Sequence, residues 1–96
     1  MERNPAFEAA LHGKTILVKM ADGKLYVGRC SRFVERDLIL VHADLHEETE
    51  GSPPRDEYLK KISKMGHWPR IEKIFLPCDE IDSVERIKER TGFQAL

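Results

Sequence analysis

The sequence predicts a mainly β fold: five strands in a strongly bent antiparallel barrel, with a short N-terminal helix and a helix-containing insert between strands 3 and 4. Three observations carry this expectation. Residues 14–46 alternate apolar and polar positions in three runs joined by tight turns. Residues 71–87 hold two further short runs, broken at Pro77-Cys78. Between them, residues 47–70 pass from an acidic stretch with glycine and prolines to a segment with helical spacing. The 96 residues are expected to form one domain, 1–96. A second core would leave each half too small to bury enough surface without disulfides or metals.

Each element has its own signal. Asn4 before Pro5 is a helix start, because the Asn side chain caps free amides and proline is preorganised for the first helical position. The predicted helix covers 5–12, with Phe7 and Leu11 on one face and Gly13 ending it in the left-handed conformation. Strand 1 sets Ile16, Val18 and Met20 against Thr15, Leu17 and Lys19. Asp22-Gly23 reads as a two-residue hairpin supplying positive backbone angles. Strand 2 follows over about 24–33, with Gly28 inside it to allow a sharp bend. Strand 3, residues 38–46, places Ile39, Val41, Ala43 and Leu45 on the expected core face. Leu38, Leu40, His42, Asp44 and His46 then occupy the other face, which runs out toward solvent.

In the insert, residues 47–54 read as loop and 55–65 as helix, with Tyr58, Leu59, Ile62 and Met65 on its apolar face. Asp56 and Glu57 sit in the first turn, Lys60, Lys61 and Lys64 toward the last, and Gly66 and Pro69 mark the stop. About three turns are marginal alone, so the apolar face must dock on its own barrel, the simpler reading, or on a partner subunit. Strand 4 starts near Ile71 and carries Ile74-Phe75-Leu76; strand 5 carries Ile81 and Val84. Residues 85–90 either extend strand 5 or begin a short helix.

Composition narrows the function classes. With 16 Lys and Arg against 17 Asp and Glu, the formal net charge is −1, so no global basic field draws in nucleic acid. A local stripe of Lys24, Arg29, Arg32 and Arg36 remains, readable as an RNA-contacting edge or as the solvated face of strand 2. The two cysteines, Cys30 and Cys78, have no metal-type spacing, and Cys30 reads as a buried small thiol. The start, Met1-Glu-Arg-Asn-Pro5, is charged and no apolar run of membrane length follows. The expectation is therefore an intracellular, cytoplasmic protein without membrane contact.

The quoted residues resemble the Sm-like (LSm) family. Its first motif runs from an apolar strand through Asp-Gly, an in-strand glycine, an aromatic and a polar loop to a third strand. Here these are Asp22, Gly23, Gly28, Phe33 and Asp37-Leu38-Ile39-Leu40. Its second motif is matched in spacing by Ile74-Phe75-Leu76, Pro77-Cys78, Ile81 and Val84. The resemblance implies a barrel capped by the N-terminal helix. It also implies a homo-oligomeric ring of about six or seven copies closed by strand 4 of one subunit pairing with strand 5 of the next. Ile74, Phe75, Leu76, Ile81 and Val84 are then the interface candidates. The family's uracil pocket uses an Asn and an Arg-Gly pair; this chain has Val34 after the aromatic, a loop one residue shorter, Asp37 in place of the Asn, and Pro77-Cys78 in place of Arg-Gly. An ionised Asp only accepts hydrogen bonds and repels phosphate, and Pro77 removes a cation and an amide together.

Two functions follow. The first is an RNA-associated ring acting through a non-standard site, with Lys24, Arg29, Arg32, Phe33, Arg36 and Asp37 as candidates. The second is a ring of the same fold serving as a protein scaffold without RNA binding. A monomeric barrel with the insert folded over an edge is a third arrangement. His42, Asp44 and His46, alternating on one strand, form a ligand set that suits zinc, against the plainer reading of a solvated strand end. Trp68, beside His67, is either a base-stacking indole or a packed loop residue. No nucleophile with a paired base, no phosphate loop and no catalytic carboxylate spacing can be assembled, so neither an enzyme nor a cofactor is expected.

Overall fold

The computed structural model describes residues 4–47, 54–66 and 69–87. Helix α1 (Pro5–Leu11) begins at Asn4, whose Oδ1 accepts the Phe7 N–H at 2.8 Å. Its face carries Leu11 into the core and sets Phe7 against Phe33, ring centroids 6.2 Å apart. Gly13, at φ +76°, turns the chain into β1 (Thr15–Met20). Then follow β2 (Leu25–Val34), β3 (Asp37–His46), helix α2 (Arg55–Met65), β4 (Ile71–Pro77), a 3-10 turn (Cys78–Glu80) and β5 (Ile81–Arg86). Glu85 and Arg86 thus continue the strand, and the Ile87 N–H still donates to the Thr15 carbonyl at 3.0 Å, while residues 88–90 lie outside the described residues.

The strands form one antiparallel sheet in the order β4-β3-β2-β1-β5. Both edges bring side chains to the same interior: Leu76 of β4 and Ile81 of β5 are buried with Ile16, Val18, Met20, Tyr26, Cys30, Leu38 and Leu40. That shared interior is what a sheet rolled on itself produces. Among the described residues β4 hydrogen-bonds to β3 alone and β5 to β1 alone, so one side of each is an open strand edge.

Two local expectations need correction. The β1–β2 connection is not a two-residue hairpin: residues 21–24 lie outside the strands, and only Gly23 has a positive φ, +95°. Asp22 acts through its side chain instead, Oδ1 accepting the Lys24 N–H at 3.1 Å. On β3 the expected single core face is also wrong. Leu38 and Leu40 enter the main core cluster, and then Ala43 and Leu45 do, while Ile39, buried all the same, and half-buried Val41 project to the other face. The phase changes at His42, which has φ +50°. There two β3 residues, His42 and Ala43, oppose the single Gly28 between the Val27↔Asp44 and Arg29↔Val41 pairs. Gly28 permits this because a Cβ there would lie 2.9 Å from Ala43 Cβ and 3.0 Å from its Cα.

Helix α2 occupies the expected residues and docks on the outer face of its own sheet. Tyr58 and Ile62 are buried on Val27, with Leu59, Leu17 and Ile87 packed around them. Met65, expected on the apolar face, is 68% exposed at the last turn instead. These contacts centre on Leu17 and Val27 of the inner strands β1 and β2, and reach the edge of the sheet only at Ile87, just past the end of β5.

Candidate nucleic-acid interface

Register fixes which side chains share the outer face of the sheet. Core residues Cys30, Leu40 and Ile74 form one row across β2, β3 and β4, so their strand neighbours project the other way. Arg29, Val41 and Lys73 form an outward row, and Arg32, Ile39 and Phe75 form the next. Arg29 and Arg32 stay on one face despite being three apart, because a second bulge in β2 between Cys30 and Arg32 restores the phase. Arg29, Arg32, Lys73 and Phe75 are all exposed, Phe75 by 52%.

The other half of this outer face lies under α2 and holds a polar clamp. Asp44, only 3% exposed, accepts the Tyr58 hydroxyl at 3.2 Å, the Leu45 N–H at 2.9 Å and the Arg70 Nε–H at 2.8 Å. Its Oδ1 also lies 2.6 Å from a terminal nitrogen of Arg70. His46, 5% exposed, stacks on Tyr58 with centroids 4.2 Å apart, and its Nε2 has no hydrogen-bond partner among the described residues. Burial, followed by the charge of Asp44, pushes the Tyr58 hydroxyl well above the ordinary phenol range, so it donates and does not ionise at neutral pH. The zinc set is therefore not assembled as expected. His42 is exposed at the bulge, Asp44 and His46 are sealed beneath α2, and no metal-ligand cluster of three occurs among the described residues. The sequence alone did not reveal Arg70 as the partner of Asp44, since 26 residues separate them; the β3–β4 register, with Ala43 opposite Ile71, carries Arg70 to the position facing Asp44.

The remaining sequence candidates fall at different places. Lys24 lies at the opposite end of β2 from Arg36, about 30 Å along the strand at 3.3 Å per residue. Its Nζ is 3.7 Å from Asp22 and 4.0 Å from Glu47. Arg36 occupies the β2–β3 turn, where its carbonyl accepts the Cys78 N–H at 2.7 Å. Asp37 pairs with both Val34 and Pro77. The turn thus brings Arg36, Asp37, Pro77 and Cys78 together, with Phe33 half-buried against α1 beside them. Of the interface candidates, Leu76 and Ile81 are buried in the core, Ile74 and Val84 pack on it, and Phe75 stands outside. Burial pushes the Cys30 thiol up to about 11, with Glu8 adding to the shift, which leaves it an inert core group. His67 and Trp68 lie outside the described residues.

No family model matches the chain, and no curated protein does. Solved structures do. An Sm protein of Pyrococcus abyssii, in complex with a uridine heptamer, superposes with TM-score 0.59 at 17% identity over 88% of this chain and 99% of that one. A heptameric archaeal Sm protein gives TM-score 0.59 at 15% identity, covering 86% of this chain and 98% of its own. The chain has an Sm-like fold. The SmAP (LSm) protein of Methanococcus vannielii is similar in the same way, with TM-score 0.56 at 17% identity over 88% of this chain and 96% of that one. The Sm-like fold agrees with the motif spacing at Asp22-Gly23, Gly28 and Ile74–Val84, and it carries the five strands and the helix before them. Within the described residues no helix is long and apolar enough to cross a membrane.

Proposed function

We propose that this chain is a subunit of a closed homo-oligomeric Sm-like ring, of about six or seven copies, that associates with RNA through basic residues outside the family's usual pocket. One observation carries the ring: among the described residues β4 and β5, the two ends of the sheet, each have one hydrogen-bonding side open, and α2 packs chiefly on the inner strands β1 and β2. An exposed strand edge is a template for pairing, and head-to-tail pairing of β4 with the next copy's β5 removes both edges only when the ring closes. Ile74, Phe75, Leu76, Ile81 and Val84 are the residues of those edges. Pairing lies in the sheet plane, so the buried Leu76 and Ile81 contribute backbone there and keep their side chains in the core.

The RNA part is supported by exposed Arg29, Arg32 and Arg36 and by the similarity to an Sm protein solved with a uridine heptamer. Lys24, Phe33 and Asp37 are the weaker members of the candidate set, since Lys24 is remote and Phe33 is committed to α1. The module binds and does not catalyse, works without a cofactor, and belongs in the cytoplasm. A scaffold ring without RNA is favoured by a specific observation, the gathering of Asp37 with Pro77-Cys78 at the turn.

Native mass spectrometry of the full chain, alone and with a short uridine oligomer, tests the reading. A single closed multimer that takes up the oligomer at physiological salt is expected. A monomer removes the ring, and a closed multimer that takes up no oligomer leaves the scaffold.

A further inference from the structure

We propose that the half of the outer sheet face not packed under α2 is a platform for single-stranded RNA, on which Phe75 stacks a base and Arg29, Arg32 and Lys73 hold phosphates, with Ile39 buried between them. The platform rests on the RNA-associated reading above and moves the main contact from the Arg36 turn to the sheet.

The argument begins with Phe75. It is exposed although its neighbours Ile74 and Leu76 face the core, and among the described residues only Met65 is another large apolar side chain so exposed. The strand register surrounds it with charge of one sign. Across Ile39 lies Arg32; one row away lie Lys73 and, across Val41, Arg29. Two rows are about 7 Å apart along the strands, and three strands span about 10 Å, so the four side chains form one patch. Neither row contains an acid, and among the described residues no ion pair engages Arg29, Arg32 or Lys73. Acids on this face lie in the rows to either side, Asp37 beside Pro77 and Asp44 beside Val27, the latter buried and held by Arg70.

An exposed aromatic face among exposed cations matches the chemistry of a single strand, which offers stacking bases and a phosphate backbone. Self-association through the same patch would set three cations against three. α2 limits the platform from the other side, since it already covers Val27 and Leu17. The sequence hid the patch because Arg29 and Arg32 are spaced unevenly for one strand face. Lys73 and Phe75 join them only through the order β4-β3-β2.

The test is fluorescence anisotropy with labelled oligouridylate and oligoadenylate of about 15 nucleotides, using the full chain, with native mass recorded for every variant. Phe75→Leu keeps apolar volume but loses the ring face, and it is expected to weaken both oligomers about tenfold at unchanged mass. Arg29→Ala, Arg32→Ala and Lys73→Ala are each expected to flatten the slope of log affinity against log salt by about 0.7. Full affinity in Phe75→Leu and Lys73→Ala, with loss in Arg36→Ala, overturns the platform and leaves RNA binding at the turn. A changed native mass in Phe75→Leu or Lys73→Ala assigns the patch to a neighbouring copy, whose Glu85 on β5 is the acid such a contact would bring, and overturns the platform as well. Absence of binding by the unaltered chain removes the RNA reading and the platform with it.

Discussion

Gly28 of β2 lies opposite the bulge of β3. With it, β2 and β3 approach closely enough for His42 and Ala43 to share one opposite position, and β3 changes face there. An added methyl would meet Ala43 Cβ at 2.9 Å, Ala43 Cα at 3.0 Å and the Val41 carbonyl at 3.1 Å. Two of those three atoms are backbone, which cannot swing aside as a long side chain can. Gly28→Ala should therefore destabilise the protein by about 1–3 kcal/mol, the range for an overpacked interior. A urea titration would show this as a lower midpoint at unchanged slope, and a midpoint equal to that of the parent chain would mean the two strands separate without cost. The same residue explains an error of sequence reading. Counting by twos put Ile39 and Val41 inside and Leu38 and Leu40 outside. The phase break lies at His42, and its only signal was a glycine on the neighbouring strand. Where the strand itself carries no extra residue, as in Ile16, Val18 and Met20, the alternation was legible and each residue is buried, the irregularity beside Met20 placing its extra residue on β5.

Helix α2 is an element whose residues the sequence revealed but whose attachment it did not. Spacing of Tyr58, Leu59 and Ile62 located the helix, and proximity in the chain made its own barrel the simplest partner. The Asp44–Tyr58–Arg70 clamp joins the end of β3, the helix and the residue before β4; the Asp44–Arg70 contact follows from the β3–β4 register and the Tyr58 contact from docking of the helix. The apolar part of the contact is small, with Tyr58 and Ile62 buried on Val27. Pro54 at the N-cap provides no side-chain hydrogen bond, so α2 depends on the clamp more than a well-capped helix would. Arg70→Ala leaves the buried Asp44 carboxylate without its cation. Full loss of a partner inside a protein costs several kcal/mol, but the Arg70 side chain is 65% exposed and water screens the pair, so about 1–2 kcal/mol is expected. The loss should be local. Hydrogen exchange should accelerate in the amides of α2 and remain slow in β1, β2 and β3. Uniform acceleration across all of them would show that helix and sheet unfold as one unit.

At the scale of the whole molecule, a net charge of −1 means that any affinity for RNA comes from local placement of cations and not from a general attraction. Each chain presents Arg29, Arg32 and Lys73 in one patch. For a single strand, three neutralised phosphates give a slope of log affinity against log salt of about −2, hence a loss of about twentyfold between 50 and 200 mM salt. The proposed closed ring repeats that patch around its circumference, so a strand long enough to reach a second copy would release counterions from both patches in one binding event. The slope should therefore depend on oligomer length. An oligouridylate of about 5 nucleotides, confined to one patch, is expected near −2, and one of about 20 nucleotides distinctly steeper. Measuring both slopes on the full chain at fixed pH checks this. Equal slopes for the two lengths, in a sample whose native mass is that of a closed multimer, would confine RNA to one subunit at a time and place the patches too far apart for one strand to bridge.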